Sequence, residues 1–92
     1  MSLLDQHLEL NPQVALRPEP FGALAYHYGN RKLIFLKHPD VVRVVRDLDG
    51  RTRLADVLRR CEIDERRWPS FEAALGSLTE SEMLHELHVA PG

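Results

Sequence analysis

The chain has 92 residues, of which 43% are apolar and 28% charged, and its formal net charge is −2. This length favours a single domain, and the composition is typical of a folded protein rather than a disordered one. No apolar run approaches the roughly 18 residues of a membrane-spanning helix, the first ten residues lack the regions of a signal peptide, and Cys61 is the single cysteine, so we expect a cytoplasmic protein.

The first third of the chain predicts a flexible arm followed by three strands. Residues 1–12 place leucines among polar residues and end at Asn11-Pro12, a pair that favours a turn, so the domain proper is expected over residues 13–88. Residues 13–17 and 22–28 each alternate in the way that strands do, and residues 31–36 are expected to form the third strand. Gly29-Asn30 separates the second strand from the third and predicts a two-residue hairpin turn.

The period of the apolar residues changes after His38 from two to about 3.6, which predicts three amphipathic helices. Pro39 fits the first turn of the first helix, and Thr52 is placed to cap the second. The predicted architecture is α+β, a three-stranded antiparallel β-meander followed by three α-helices, which is winged-helix-like. The three apolar stripes are Val41, Val44, Val45 and Leu48; Leu54, Val57, Leu58 and Cys61; and Phe71, Ala74, Leu75 and Leu78.

The sequence contains no motif that indicates catalysis or a cofactor. Cys61 lies on an apolar stripe, which favours a buried structural thiol over a nucleophile. Zinc sites need three or four ligands, and only His85 and His88 share a possible helical turn. The other histidines, His7, His27 and His38, lie in separate segments. We therefore expect a protein that is not an enzyme and that holds no metal and no cofactor.

A winged-helix DNA-binding protein remains an alternative on the fold analogy. Four arginines lie near or on the predicted second helix, but acidic residues are interspersed with them, which weakens attraction to phosphate. Residues 61–92 carry seven acidic and two basic residues, and such a distribution is unlike that of a strongly basic nucleic-acid-binding domain. The arginines are Arg51, Arg53, Arg59 and Arg60, and the interspersed acids are Asp47, Asp49 and Asp56.

The third predicted strand is apolar on both faces and would lie at the edge of the meander. Its outward N–H and C=O groups would then lack partners, and an apolar edge promotes aggregation unless it is covered or used. Either Arg31, Lys32 and Lys37 protect this edge while the arm covers it, or a peptide from another chain adds to it as a further strand.

The segment PQVALRPEPFGALAYHYGNRKLIFLK, residues 12–37, resembles the peptide chaperones of mycofactocin biosynthesis. The order of strands and helices over residues 13–84 resembles the wider PqqD-like domains that recognise precursor peptides. This resemblance implies a non-catalytic adaptor that binds the leader of a ribosomally made precursor peptide as an added strand, between the third strand and the third helix. It also implies delivery of that peptide to a radical S-adenosylmethionine maturase. From the charge distribution and the lack of a long apolar run, neither nucleic acid nor a membrane is expected as a partner.

An accessory subunit that only stabilises the maturase is a further alternative. If the resemblance is carried onto this chain, the peptide groove would be lined by Lys32, Leu33, Ile34, Phe35 and Leu36 from the third strand, and by Phe71, Ala74, Leu75 and Leu78 from the third helix.

Overall fold

The computed structural model describes residues 3–86, and over that range the fold is α+β, as the sequence predicts. Short 3₁₀ turns lie at Leu3–Asp5 and Glu65–Arg67. The strands are β1 (His7–Leu10), β2 (Val14–Glu19), β3 (Gly22–His27), β4 (Leu33–Leu36), β5 (Asp49–Arg53) and β6 (Leu84–Glu86), and the helices are α1 (Pro39–Asp47), α2 (Leu54–Arg60) and α3 (Trp68–Glu80).

The predicted meander is confirmed as an antiparallel sheet in the order β2-β3-β4. Its register places Ala25 of β3 opposite Leu16 on one side and Ile34 on the other. Along β3 the buried residues Ala23, Ala25 and His27 alternate with half-buried ones. One face of the sheet therefore packs on the core, where α1 lies against β3 and β4, and the opposite face is turned away from the helices.

A second sheet, in the order β5-β1-β6, uses a strand from the segment that the sequence analysis assigns to a flexible arm. Glu9 lies opposite Asp49 of β5 and opposite His85 of β6, and Leu8 is fully buried. The expected loose arm is therefore wrong for residues 7–10. Leu8 and Leu10 alternate with polar residues and share the face of β1 that packs on the core, and β5 and β6 pair with its two edges.

The three helices bury the predicted stripes, because all of the stripe residues except the half-buried Ala74 lie in the core. Pro39 is at the start of α1, as predicted. The predicted cap of α2 is wrong: Thr52 lies in β5, and its N–H and hydroxyl both donate to the carboxylate of Asp49, at 2.9 and 3.1 Å. The helix instead begins at Leu54, after the extended residue Arg53.

The connection between β3 and β4 is longer than the predicted two-residue turn. The N–H of Arg31 donates to the carbonyl of His27 at 2.8 Å, and Arg31 takes the positive φ of 61°. The imidazole Nδ1 of His27 accepts the N–H groups of Gly29 and Asn30, at 2.9 and 3.1 Å. The ring thus supplies the hydrogen bonds that let a wider loop close the hairpin.

Candidate functional site

Strand β4 forms one edge of the meander, which confirms the predicted position of the third strand. It pairs with β3, and within residues 3–86 no strand pairs with its other side. The N–H of His27 donates to the carbonyl of Lys32 at 3.0 Å, and this bond sets the alternation of the ladder. By that alternation the N–H groups of Ile34 and Leu36 face β3, whereas those of Leu33 and Phe35 face the open edge.

An apolar groove, here named the β4–α3 groove, runs between this edge and the third helix. One cavity of about 200 Å³ in it has walls from β4 and α3 and a floor from the start of α1. An adjoining cavity of about 350 Å³ shares three lining residues with the first. The first cavity is lined by Ile34, Phe35, Leu36, Lys37, His38, Val41, Ala74, Ser77, Leu78 and Ser81, and the second by His38, Val41, Arg67, Ser70, Phe71 and Ala74.

Six of the nine residues predicted for the site line this groove, and three do not. Leu33 lines a cavity on the opposite face of the sheet, Lys32 is an exposed residue just before β4, and Leu75 is fully buried in the core. The residues that line it are Ile34, Phe35, Leu36, Phe71, Ala74 and Leu78.

The floor of the groove is formed by residues outside the predicted site. His38 and Val41 of the α1 region line both cavities, and Ser77 and Ser81 line the end near the C-terminus of α3. Val41 belongs to a helical stripe, and that pattern alone predicts a core residue. The short link from Leu36 to Pro39 is the signal that could have placed α1 beside β4, because a connection this short keeps consecutive elements adjacent.

Two basic side chains border the groove. Lys37 is exposed in the first cavity. At the far end of the second, Arg67 pairs with Asp40 at 2.9 Å and its guanidinium lies 5.2 Å from the centre of the Phe71 ring. The arrangement can accept an extended segment whose backbone bonds to β4, whose apolar side chains enter the groove, and whose carboxylates lie near its ends.

The histidines and the cysteine do not form a reactive site in the described part of the chain. Residues 3–86 contain no group of three or more histidine, cysteine or acidic side chains that could hold a metal ion. His85 pairs with Glu9 across β6 and β1, with 2.5 Å between Nε2 and Oε1. His88 lies outside the described residues. Burial raises the pKa of the Cys61 thiol, and the charge of Asp47 acts in the same direction, so the thiol stays protonated.

The arginines considered for DNA binding are largely engaged with carboxylates. Arg53 and Arg59 both pair with Asp56, at 3.4 and 2.9 Å, and Arg60 pairs with Asp47 at 2.6 Å. Arg59 also lies over the Trp68 ring. Three of the four arginines are thus paired with carboxylates, which weakens the attraction to phosphate that the DNA-binding alternative requires.

A small α+β domain with an apolar groove beside an unpaired strand edge has the architecture of a peptide-recognition module, and its order of strands and helices is consistent with the PqqD-like fold. The chain belongs to the Peptide chaperone MftB family, whose model matches residues 7–85. The search of solved structures gave no significant match.

Three relatives are named Peptide chaperone MftB, and each aligns over 80 residues, or 87% of this chain. Those from Mycobacterium ulcerans and Mycobacterium tuberculosis are 42% identical and are covered over 73% of their length. That from Mycolicibacterium smegmatis is 44% identical and is covered over 78%. These names denote a non-catalytic role, which confirms the prediction that the chain is not an enzyme. Among the described residues, no helix is long and apolar enough to cross a membrane.

Proposed function

We propose that this chain binds the leader of the mycofactocin precursor peptide by strand addition at β4 and delivers it to a radical S-adenosylmethionine maturase in the cytoplasm. The observation that carries the proposal is the open edge of β4 beside the β4–α3 groove. Membership of a peptide chaperone family supports a peptide as the partner.

The chemistry of binding follows from the two sides of the groove. The outward N–H groups of Leu33 and Phe35, with the neighbouring outward carbonyls, supply main-chain hydrogen bonds that do not depend on the peptide's sequence. Specificity comes from the groove, which accepts alternate side chains of the added strand. Lys37 favours a carboxylate near one end of the bound segment, whereas the charge of Arg67 is already paired with Asp40.

Two adjacent alanines on α3 provide a matched test. Ala74 lines both cavities of the groove, whereas Ala73 is exposed and lines neither of them. Ala74→Glu would place a charge among the apolar walls, and we expect it to weaken leader binding by at least about tenfold in isothermal titration calorimetry. Ala73→Glu adds the same charge on the same helix and should leave the affinity within about twofold.

Equal affinities for the two glutamate variants and the unmodified chain would contradict binding in the groove. The accessory-subunit alternative has its own signature: the chain would bind the maturase without any measurable affinity for the leader. Delivery is tested in the same series, since modification of the precursor by the maturase should require the chain and should fall with Ala74→Glu but not with Ala73→Glu.

A further inference from the structure

The face of the meander that is turned away from the helices carries an apolar surface of its own. Phe21, Tyr28, Leu33 and Phe35 are large hydrophobic residues that are 42%, 64%, 53% and 58% exposed. Leu33 lies opposite Tyr26, and Phe35 lies opposite Leu24. We define the outer-sheet patch as Phe21, Leu24, Tyr26, Tyr28, Leu33 and Phe35.

The aromatic rings of this patch are arranged in two pairs, one of which lines a cavity. Phe21 and Phe35 meet edge to face with 5.6 Å between ring centres, and Tyr26 and Tyr28 do so at 5.0 Å. A cavity of about 310 Å³ lies on this face of the sheet. The two tyrosines line it together with Leu24, Leu33, Ala15 and Arg17. Exposed apolar patches of this kind on soluble proteins are typical of sites that bind another protein.

The charges around the patch determine which kind of partner fits it. Arg17 is the one charged residue that lines the cavity, and its only ion pair among the described residues is an exposed one with Glu19 at 3.4 Å. Arg31, Lys32 and Lys37 are exposed at the two ends of β4. In a symmetric dimer through this face the same basic groups would oppose one another, which is unfavourable. A different protein, with an apolar side chain surrounded by carboxylates, is complementary to it.

We propose that the outer-sheet patch is the docking surface for the enzyme that modifies the bound peptide, and that this enzyme inserts an apolar side chain flanked by carboxylates into the cavity that the tyrosines line. The inference rests on the proposed function. A leader strand added to β4 would extend the same sheet, and alternate side chains of that strand would lie beside Leu33 and Phe35. The docked enzyme would then contact chaperone and peptide at once and bind the loaded form more tightly.

The test measures the affinity of the full chain for the radical S-adenosylmethionine maturase, with and without the leader peptide. Tyr28→Ser removes an exposed ring of the patch, and Arg17→Glu reverses the charge at the cavity. We expect each to weaken maturase binding at least about tenfold and to leave leader affinity within about twofold. Arg66→Glu is the matched control, because Arg66 is also exposed and pairs with a nearby carboxylate at 3.4 Å but lies in the Glu65–Arg67 turn.

Several results would overturn the docking surface. One is maturase affinity that is the same in Tyr28→Ser, Arg17→Glu and the unmodified chain. Another is a dimer in sedimentation that Tyr28→Ser dissociates, since the patch would then bind a second copy. Failure of the proposed function is distinguishable from both: the unmodified chain would not bind the leader, while maturase binding to the peptide-free chain would still fall in the two patch variants.

Discussion

His27 connects the core to the hairpin loop between β3 and β4. Its side chain is buried, with 3% exposure, in line with the buried alanines of β3. Its Nδ1 accepts two backbone N–H groups, and Nε2 lies 3.4 Å from the side-chain nitrogen of Asn11. A side chain that substitutes for turn hydrogen bonds makes the loop depend on one residue in the strand before it.

We expect His27→Ala to lower the free energy of unfolding by about 1–3 kcal/mol, because it leaves the N–H groups of Gly29 and Asn30 without their acceptor. Urea unfolding measures this change. His38→Ala is the control, since His38 is exposed and its side chain makes no cap bond to α1. Losses of the same size in the two variants would show that the imidazole does not support the loop.

Cys61 should behave as an inert thiol in the folded chain. Burial raises the pKa of this thiol, and the negative charge of Asp47 raises it further, so the reactive thiolate is scarcer than in the unfolded chain. We expect alkylation at pH 8 to be much slower in the folded chain than in denaturant. Above the unfolded thiol pKa of about 8.5, the unfolded chain loses this proton before the folded chain does. The free energy of unfolding therefore falls as the pH rises above that value.

Cys61→Ala is the control for this pH dependence, since the part of the stability loss above about pH 8.5 that arises from the thiol should disappear in that variant. Rates of alkylation that are equal in the folded and denatured chains would contradict a protected thiol.

The second sheet depends on strand β1. It is the central strand between β5 and β6, and Leu8 is one of the fully buried residues of the core. We expect Leu8→Ala to lower the free energy of unfolding by about 2–5 kcal/mol, the range for a buried leucine. Asp5→Ala, at an exposed neighbouring residue, should change it by less than about 0.5 kcal/mol. Thermal or urea unfolding of both variants distinguishes a central strand from a loose arm.

The contrast between the two sheets shows which elements local sequence can predict. The strands β2, β3 and β4 follow one another along the chain; the first two show alternation in the sequence, and the third is a short run that is apolar on both faces. The three helices are likewise visible as stripes that the structure buries. The sheet β5-β1-β6 joins three distant segments, and β5, with the sequence DGRTR, has no apolar alternation. Its pairing is determined by tertiary contacts, so no local pattern predicts it.

The sequence also predicts only part of the candidate site. The open edge was predictable because Leu33 to Leu36 has apolar residues on both faces and no further strand of the meander follows it. The full burial of Leu75 and the groove floor formed by His38 and Val41 could not be predicted. They depend on how α1 and α3 pack against the sheet. A periodic stripe identifies the buried face of a helix but not the neighbour that covers it.

Proline substitutions test whether the peptide bonds to the open edge of β4, because proline removes a backbone donor. The N–H groups of Ile34 and Leu36 face β3, so proline at either position should unfold the domain or strongly destabilise it. The N–H groups of Leu33 and Phe35 face the open edge. Proline there should leave the domain folded and weaken leader binding by about 1–3 kcal/mol, the cost of an unpaired carbonyl in the peptide. Leu33→Ala and Phe35→Ala keep the donor and are the controls for side-chain loss, with circular dichroism for folding and calorimetry for binding. If Leu33→Pro and Phe35→Pro fold and bind the leader as tightly as their alanine controls, the peptide does not add to β4 as a strand.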